Sequence, residues 1–446
     1  MSFKVQNYIE KTMIRLVTLH MVVWASVTLG AFASSMSEKE AKLLARIDQK
    51  YDEQVSFLAK VVNINSGTMN VEGVSDVGAI FGQKFQEIGF DTSWIDMPAA
   101  MERAGHLVAK RQGTKGRKIL LIGHLDTVFP KDTDFLKFRK DEGRYIGPGV
   151  TDMKSGNVIV LFALKALEEE GLLEDRRVSV FFTGDEESPG KPLSASRKHL
   201  IELAKESDAA LNFEAGRQDQ AVIARRGSGG WKLVVEGKRA HSSGIFRPAV
   251  GVGAIFETAR ILDGFYNALA GEANLTFNPS VIAGGTNVDL DSVQKTWSAS
   301  GKSNIVAQTA IVNGDIRYIS EAQLKAAQHK MREIVKASRP HTNATITFSE
   351  SYPPMAPTVG NRELLAILNN VSNDLGYGQI QPNDPGKRGA ADISFVAPFV
   401  ASIDGLGAWG GGSHAKTEWL DKEGFKMATR RAALYIYRLI HADSDT

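Results

Sequence analysis

The sequence has no cysteine. That absence excludes disulfides and every thiolate metal site, so any bound metal must be held by His, Asp and Glu. Charge of one sign is also lacking: Lys and Arg total 53 against 51 Asp and Glu, a formal net charge of +2. There is no long basic run, so nothing points to nucleic acid as a partner. Internal repeats and low-complexity tracts are absent too. Long apolar runs are confined to the N-terminus, where Lys11 and Arg15 precede a stretch from Leu16 to Ala33 that closes on Ala31-Phe32-Ala33 and Ser34-Ser35. A basic start, an apolar centre and a small-residue end are the layout of a secretory signal. Residues 1–33 are therefore expected to be a signal peptide directing export, to a periplasm, with no membrane association after cleavage. Met13 is a second candidate start, and an uncleaved single anchor is the competing reading.

What is present reads as a two-domain enzyme. A chain of 446 residues exceeds the ~250–300 residues at which single cores stop growing. Helical spacing of apolar residues runs from Ser37 to Val62, from Val74 to Ile88 and from Gly156 to Glu170, while His106–Lys110, Lys118–Ile122 and Val178–Thr183 read as strands. This alternation implies an α/β sheet covered on both faces, with sites at strand ends. From Gly230 the order changes: a strand to Gly237, a helix at Val250–Leu269, strands at Asn274–Ala283 and Asn304–Tyr318, a helix at Glu321–Ala337 and a strand at Thr342–Glu350. A βαββαβ order is the ferredoxin-like plan. Helices at Glu363–Leu375 and Lys422–His441 resume the first texture. Residues 34–224 and 352–446 are thus expected to form one domain, with residues 225–351 inserted as a second.

Five polar knots end or follow these apolar runs or sit in glycine-rich loops: His124-Leu125-Asp126, Thr151-Asp152, Asp185-Glu186-Glu187, Phe213-Glu214 and Ser413-His414. Taken singly they have bland explanations. The His-x-Asp pair reads as a polar turn, Asp152 as a helix N-cap and the acidic trio as a solvated loop. Taken together, imidazoles and carboxylates at strand ends are the donor set of a divalent-metal site. Asp126 then holds the second nitrogen of His124, and one acid of the trio serves as general base toward a metal-activated water.

In this order the knots resemble the di-zinc exopeptidases that include glutamate carboxypeptidase, succinyl-diaminopimelate desuccinylase and the aminoacylases. The likeness to glutamate carboxypeptidase runs through Tyr145-Ile146-Gly147-Pro148-Gly149 and Asn313-Gly314-Asp315-Ile316-Arg317-Tyr318. The resemblance implies a mixed-sheet catalytic domain with an inserted lid that also mediates homodimerisation. It implies two Zn²⁺ per subunit, with Co²⁺ as an alternative ion. Asp152 would bridge them, Glu187 and His414 would complete one site, and His124 and Glu214 the other. Glu186 would be the general base and acid, Asp126 its neighbour's orienting group, and the Asp152–Met153 peptide cis. In the lid, His241 would stabilise the oxyanion from the partner subunit, and Asn304 and Arg317 would bind polar groups and a carboxylate of the substrate. On their own residues alone, Asn304 reads as a turn residue and Arg317 as a strand-face charge.

Ala307, Ala215 and Ser413 depart from the family pattern, which places proline at the first two positions and often glycine at the third. His106, His199, His329, His341 and His441 match no motif. The expected substrate is a small peptide or N-acyl amino acid, cleaved beside a free C-terminal carboxylate. An N-acyl-amino-acid amidohydrolase is the alternative, and a non-catalytic metal-binding protein a more distant one.

Overall fold

The computed structural model describes residues 36–442 apart from 136 and 292–295; the expected signal peptide lies outside them. Among the described residues no helix is long and apolar enough to cross a membrane. Residues 43–446 make one compact unit. Its larger sheet has six strands in the order Asp91–Asp96, Gly105–Arg111, Arg176–Thr183, Lys115–His124, Ala209–Asn212, Ser402–Ile403. The first two pairings are antiparallel and the last three parallel, so the sheet is mixed.

Both faces are covered, as alternating side-chain direction along a strand requires. Phe181 joins Leu200 and Leu203 of the helix Lys198–Lys205 in one apolar cluster. Its neighbour Phe182 meets Phe81 and Phe85 of the helix Val71–Glu87, with ring centroids 5.5 and 5.8 Å away. The helices Ser155–Glu169 and Lys422–His441 pack on each other and on the central strand Lys115–His124. Almost all of the helix Ser155–Glu169 is buried, and burying such apolar surface stabilises by about 25 cal/mol per Å².

The smaller sheet is antiparallel throughout, with four strands in the order Thr276–Gly285, Thr309–Tyr318, Gly227–Gly237, Thr342–Glu350. Numbered along the chain, the spatial order is 2-3-1-4, the ferredoxin-like arrangement. Trp231, Leu233 and Val235 of its central strand pack with Ile261 and Phe265 of the helix Gly253–Leu269 and Met331 of the helix Glu321–Lys336. The chain enters and leaves side by side, where Arg225 and Met355 exchange both backbone hydrogen bonds, at 2.9 and 3.0 Å.

The structure differs from the pattern reading in several places. The helix expected from Ser37 to Val62 is two, Glu38–Gln49 and Tyr51–Val62, broken at Lys50. The edge strand Asp91–Asp96 had no apolar signature to reveal it, because an edge strand needs no continuous apolar run. The antiparallel pair Asn287–Asp291 and Thr296–Ser300 lies in a stretch to which the pattern reading assigned no element. The strand expected from Asn304 starts at Thr309.

Candidate metal centre

Three parallel strands bring the first ligand candidates to one edge. His124 ends the central strand and pairs in register with Thr183, the last residue of the strand that leads into Asp185-Glu186-Glu187. On the other side Ile122 pairs with Asn212, two residues before Glu214. Asp152 comes from the loop before the helix Ser155–Glu169, in which Gly149 has φ +71° and the Asp152–Met153 peptide is cis. Gly156 lets that helix approach closely: a Cβ there would lie 2.1 Å from the carbonyl oxygen of Phe213. His414, with φ +66°, is carried by the loop that follows Gly410–Gly411.

These groups converge. Oδ1 of Asp152 lies 3.3 Å from Nε2 of His124, which is also 3.6 Å from Glu214. Its other oxygen, Oδ2, lies 3.2 Å from Nε2 of His414, and the same nitrogen is 3.2 Å from Glu187. One carboxylate therefore faces two separate His–Glu pairs. Donor atoms of His124, Asp152 and Glu187 lie within 4.8 Å of one another, and so do those of His124, Glu186 and Glu214. A cavity of about 260 Å³ opens onto Asp152, Glu186, Glu187, Glu214, Ser413 and His414. A larger groove of about 460 Å³ between the helices Tyr51–Val62, Val71–Glu87 and Ser155–Glu169 contains no histidine. Volume alone does not mark the site.

The electrostatics show a site crowded with negative charge. Burial drives the Glu186 carboxyl well above its ordinary range, with Glu214 and Glu187 adding to it. Burial likewise pushes Glu187 up to about 8 and Glu214 up to about 7, against the pull of His124 and with Asp152 adding to both. Asp152 moves the other way: despite its burial, hydrogen bonds from His124 and His414 hold it well below the usual carboxylate range. The hydrogen bond to Asp152 lifts His414 to about 9. Against the cost of burial, bonds to Asp126 and Asp152 raise His124 as well. Oε1 of Glu187 is buried with no hydrogen-bond partner. A cluster of imidazole and carboxylate donors that repel one another, with an orphaned oxygen among them, fits divalent cations.

Supporting groups fix the donors. Nδ1 of His124 lies 3.0 Å from the carbonyl oxygen of Asp126 and 3.4 Å from its Oδ1. The Asp126 carboxylate also accepts the N–H groups of Glu186 (3.0 Å) and Glu187 (3.1 Å) and the Thr68 hydroxyl (2.6 Å). It thus orients the acidic loop as well as the imidazole. Asn157 donates to the His124 carbonyl at 2.6 Å, and Tyr352 to the Glu186 carbonyl at 3.1 Å.

Pattern reading missed Glu418. Its buried carboxylate accepts the N–H groups of Gly149 (2.9 Å), Thr151 (2.7 Å) and Asp152 (2.9 Å). The available signal was its position, four residues after His414 in the same loop. Asp185 also separates from its neighbours: it is buried against Arg197, Ser196 and the Gly190 N–H, and Arg197 in turn binds Asp392 at 2.7 Å. Of the unmatched histidines, His106 is a core residue. Its Nδ1 accepts the Gly184 N–H at 3.1 Å and its Nε2 lies 2.9 Å from the Ser196 carbonyl.

None of the lid candidates lines this cavity. His241 is exposed, with Nδ1 2.9 Å from Ser243 Oγ. The Asn304 carbonyl accepts the Ser242 N–H at 2.8 Å. Arg317, 42% exposed, lies 3.2 Å from Asp315.

Comparison with known proteins now bears on this geometry. The model of peptidase family M20/M25/M40 matches residues 120–438. Carboxypeptidase G2 of Pseudomonas sp. (strain RS-16) is 27% identical over 416 residues, covering 91% of this chain and 94% of that protein. A succinyl-diaminopimelate desuccinylase of Rickettsia bellii (strain OSU 85-389) is 24% identical over 366 residues, covering 78% and 87%. Among solved structures, the aminopeptidase PepT of Bacillus cereus superposes with a TM-score of 0.67 at 18% identity, covering 87% of this chain and 98% of that one. A Bacillus subtilis protein described as a dinuclear metal binding peptidase from the M20 family gives 0.60 at 13% identity, covering 88% and 99%.

Proposed function

From the premise that the chain belongs to peptidase family M20/M25/M40, we propose that it is a zinc-dependent carboxypeptidase, cleaving an amide bond next to a free C-terminal carboxylate. The single observation that carries this reading is the division of the Asp152 carboxylate between His124 and His414. In it His124, Glu214, Asp152, Glu187 and His414 would hold two Zn²⁺, Asp152 being shared between the His124–Glu214 pair and the Glu187–His414 pair; Co²⁺ would suit the same donors. Two such ions, when bound, lower the pKa of a water to about 7 and polarise a carbonyl.

The chain's own residues supply the rest. The Glu186 carboxylate lines the cavity and accepts no hydrogen bond from the described residues. It takes the proton of the attacking water and returns it to the departing nitrogen. Asp126 keeps Glu186 and His124 in place. His241, exposed and outside the cavity of its own copy, acts from the partner subunit on the developing oxyanion. Asn304 and Arg317 hold polar and carboxylate groups of the substrate from the lid.

A homodimer through the lid is supported by exposed apolar side chains there: Phe246, Phe256, Tyr266 and Ile282 are 64%, 50%, 65% and 59% exposed. Ile282 belongs to the edge strand Thr276–Gly285. The N-terminal signal pattern of residues 1–33 supports export to a periplasm. The similarity to a desuccinylase favours a second reading, an N-acyl-amino-acid amidohydrolase. Turnover by zinc-loaded protein of folyl- and peptidyl-glutamates against N-acetyl amino acids, with chelator controls, separates the two. No turnover of glutamate amides, with turnover of N-acetyl amino acids, would replace the first reading with the second.

A further inference from the structure

The cavity wall opposite the carboxylates is cationic, and the proposed metal cage does not use it. Lys387 and Arg388 lie there with Gly389, on a segment held firmly. The Gly389 carbonyl accepts from Arg225 at 2.5 Å, and the guanidinium of Arg225 is itself bonded to the buried Asp404. Arg388 is fixed by one bond, Nη2 to the carbonyl oxygen of Ala215, at 2.8 Å. Ala215 directly follows Glu214, so Arg388 sits beside the metal cage.

The lack of an ionic partner sets Arg388 apart from the cations around it. Arg225 is paired with Asp404, and His414 with Asp152 and Glu187. Arg388 has no acidic partner among the described residues, and its Nε is buried with no hydrogen-bond partner at all. A half-buried guanidinium whose fork is largely unused is a receptor for a planar anion, because two parallel N–H groups match a carboxylate. The nearby acids are drawn toward the histidines, so they do not satisfy it. Burial together with neighbouring Arg225 disfavours its charge, which an incoming anion would relieve.

We propose that Arg388 is a specificity-determining residue that pairs with a carboxylate of the substrate next to the scissile amide, from the catalytic domain and separately from Arg317. This rests on reading the site as an amide hydrolase. Lys387, exposed at the rim, draws anions toward the same wall.

The test compares N-acetyl-leucine with N-acetyl-leucinamide, which differ only in the carboxylate. Zinc-loaded full chain and its Arg388→Ala and Arg388→Lys variants are assayed for turnover of both. The same substitutions are made in Glu186→Gln protein, and binding of both compounds is measured by calorimetry, with zinc content checked throughout. Losing a charged hydrogen bond of this kind changes preference by about 10–100-fold, so the acid-over-amide ratio should fall by that factor in Arg388→Ala and recover partly in Arg388→Lys. An unchanged ratio, in turnover or in binding, overturns the proposal. If neither compound is hydrolysed, the carboxypeptidase and amidohydrolase readings lose support, while the binding ratio still decides the role of Arg388. A variant that loses zinc is replaced by Arg388→Gln, judged on the same ratio.

Discussion

The carboxylate of Glu418 accepts the backbone N–H of Asp152 at 2.9 Å. This contact ties the loop that carries one proposed metal ligand to the loop that carries another, His414. The next residue continues the link, since the Trp419 carbonyl accepts the Thr151 hydroxyl at 2.6 Å. Two segments far apart in sequence thus present their ligands as one rigid piece.

Replacing Glu418 by Gln keeps the shape but turns one acceptor into a donor, leaving a buried N–H of Gly149, Thr151 or Asp152 unpaired. The expected cost is about 1–3 kcal/mol of stability and roughly 10–100-fold in zinc affinity. Thermal unfolding and competition with a chromogenic chelator measure the two effects. Wild-type zinc affinity in Glu418→Gln would show that the loop holds its shape without this carboxylate.

Metal binding should release protons. In metal-free protein burial pushes Glu187 up to about 8 and Glu214 up to about 7, and the bond to Asp152 lifts His414 to about 9, so the cluster holds protons near neutral pH that zinc must displace. Apparent affinity should therefore climb as pH rises toward 9 and fall steeply below neutrality. Calorimetry in buffers of different ionisation enthalpy counts the protons. A heat of binding independent of buffer would contradict the arrangement.

The buried pair of Asp185 with Arg197 makes a structural prediction. Asp185→Asn leaves Arg197 paired with Asp392 alone and removes charged hydrogen bonds worth about 1.5–3 kcal/mol, so it should lower the urea midpoint. Against burial, Arg197 and His106 lower the Asp185 pKa. A carboxyl depressed in the folded state contributes its stability above its unfolded pKa of ~3.9 and loses it as pH falls through the folded value. The variant should accordingly show less acid-dependent loss than the wild type. Equal stability of the two proteins at neutral pH would refute the assignment.

The lid's exposed aromatic residues predict the assembly. Phe256 meets Phe246 edge-to-face at 5.5 Å between ring centroids, and both face solvent in a single copy. In the proposed lid dimer, Phe256→Glu combined with Tyr266→Glu should convert dimer to monomer in light scattering and, with His241 proposed to act across the interface, depress turnover too. A wild-type protein that is monomeric at assay concentrations would remove that role from His241.

Much of this was readable in the residues, for a physical reason. His124, Glu186, Glu187 and Glu214 follow buried apolar runs, and parallel strands in register bring such ends together. Helix Lys422–His441 was legible end to end because its apolar stripe is periodic and Asp421 caps it, accepting from Gly424 at 2.7 Å. Asp185 and Glu186 were not separable by pattern, since their fates depend on Arg197 and Asp392, which come from other elements. Arg388 was silent, and Glu418 was marked only by its place four residues after His414. Each acts through backbone groups or a vacant fork, and neither belongs to a motif. The strand Asp91–Asp96, half exposed along its length, carries too little apolar burden to announce itself.

The central claim is that Glu186 moves the proton while other residues hold the metal. Zinc stoichiometry and amide turnover of Glu186→Gln test it together. The variant should bind as much zinc as the wild type and lose about 10²–10⁴-fold in kcat, the usual contribution of a positioned general base. Turnover close to the wild-type rate, or loss of zinc in step with activity, would contradict it.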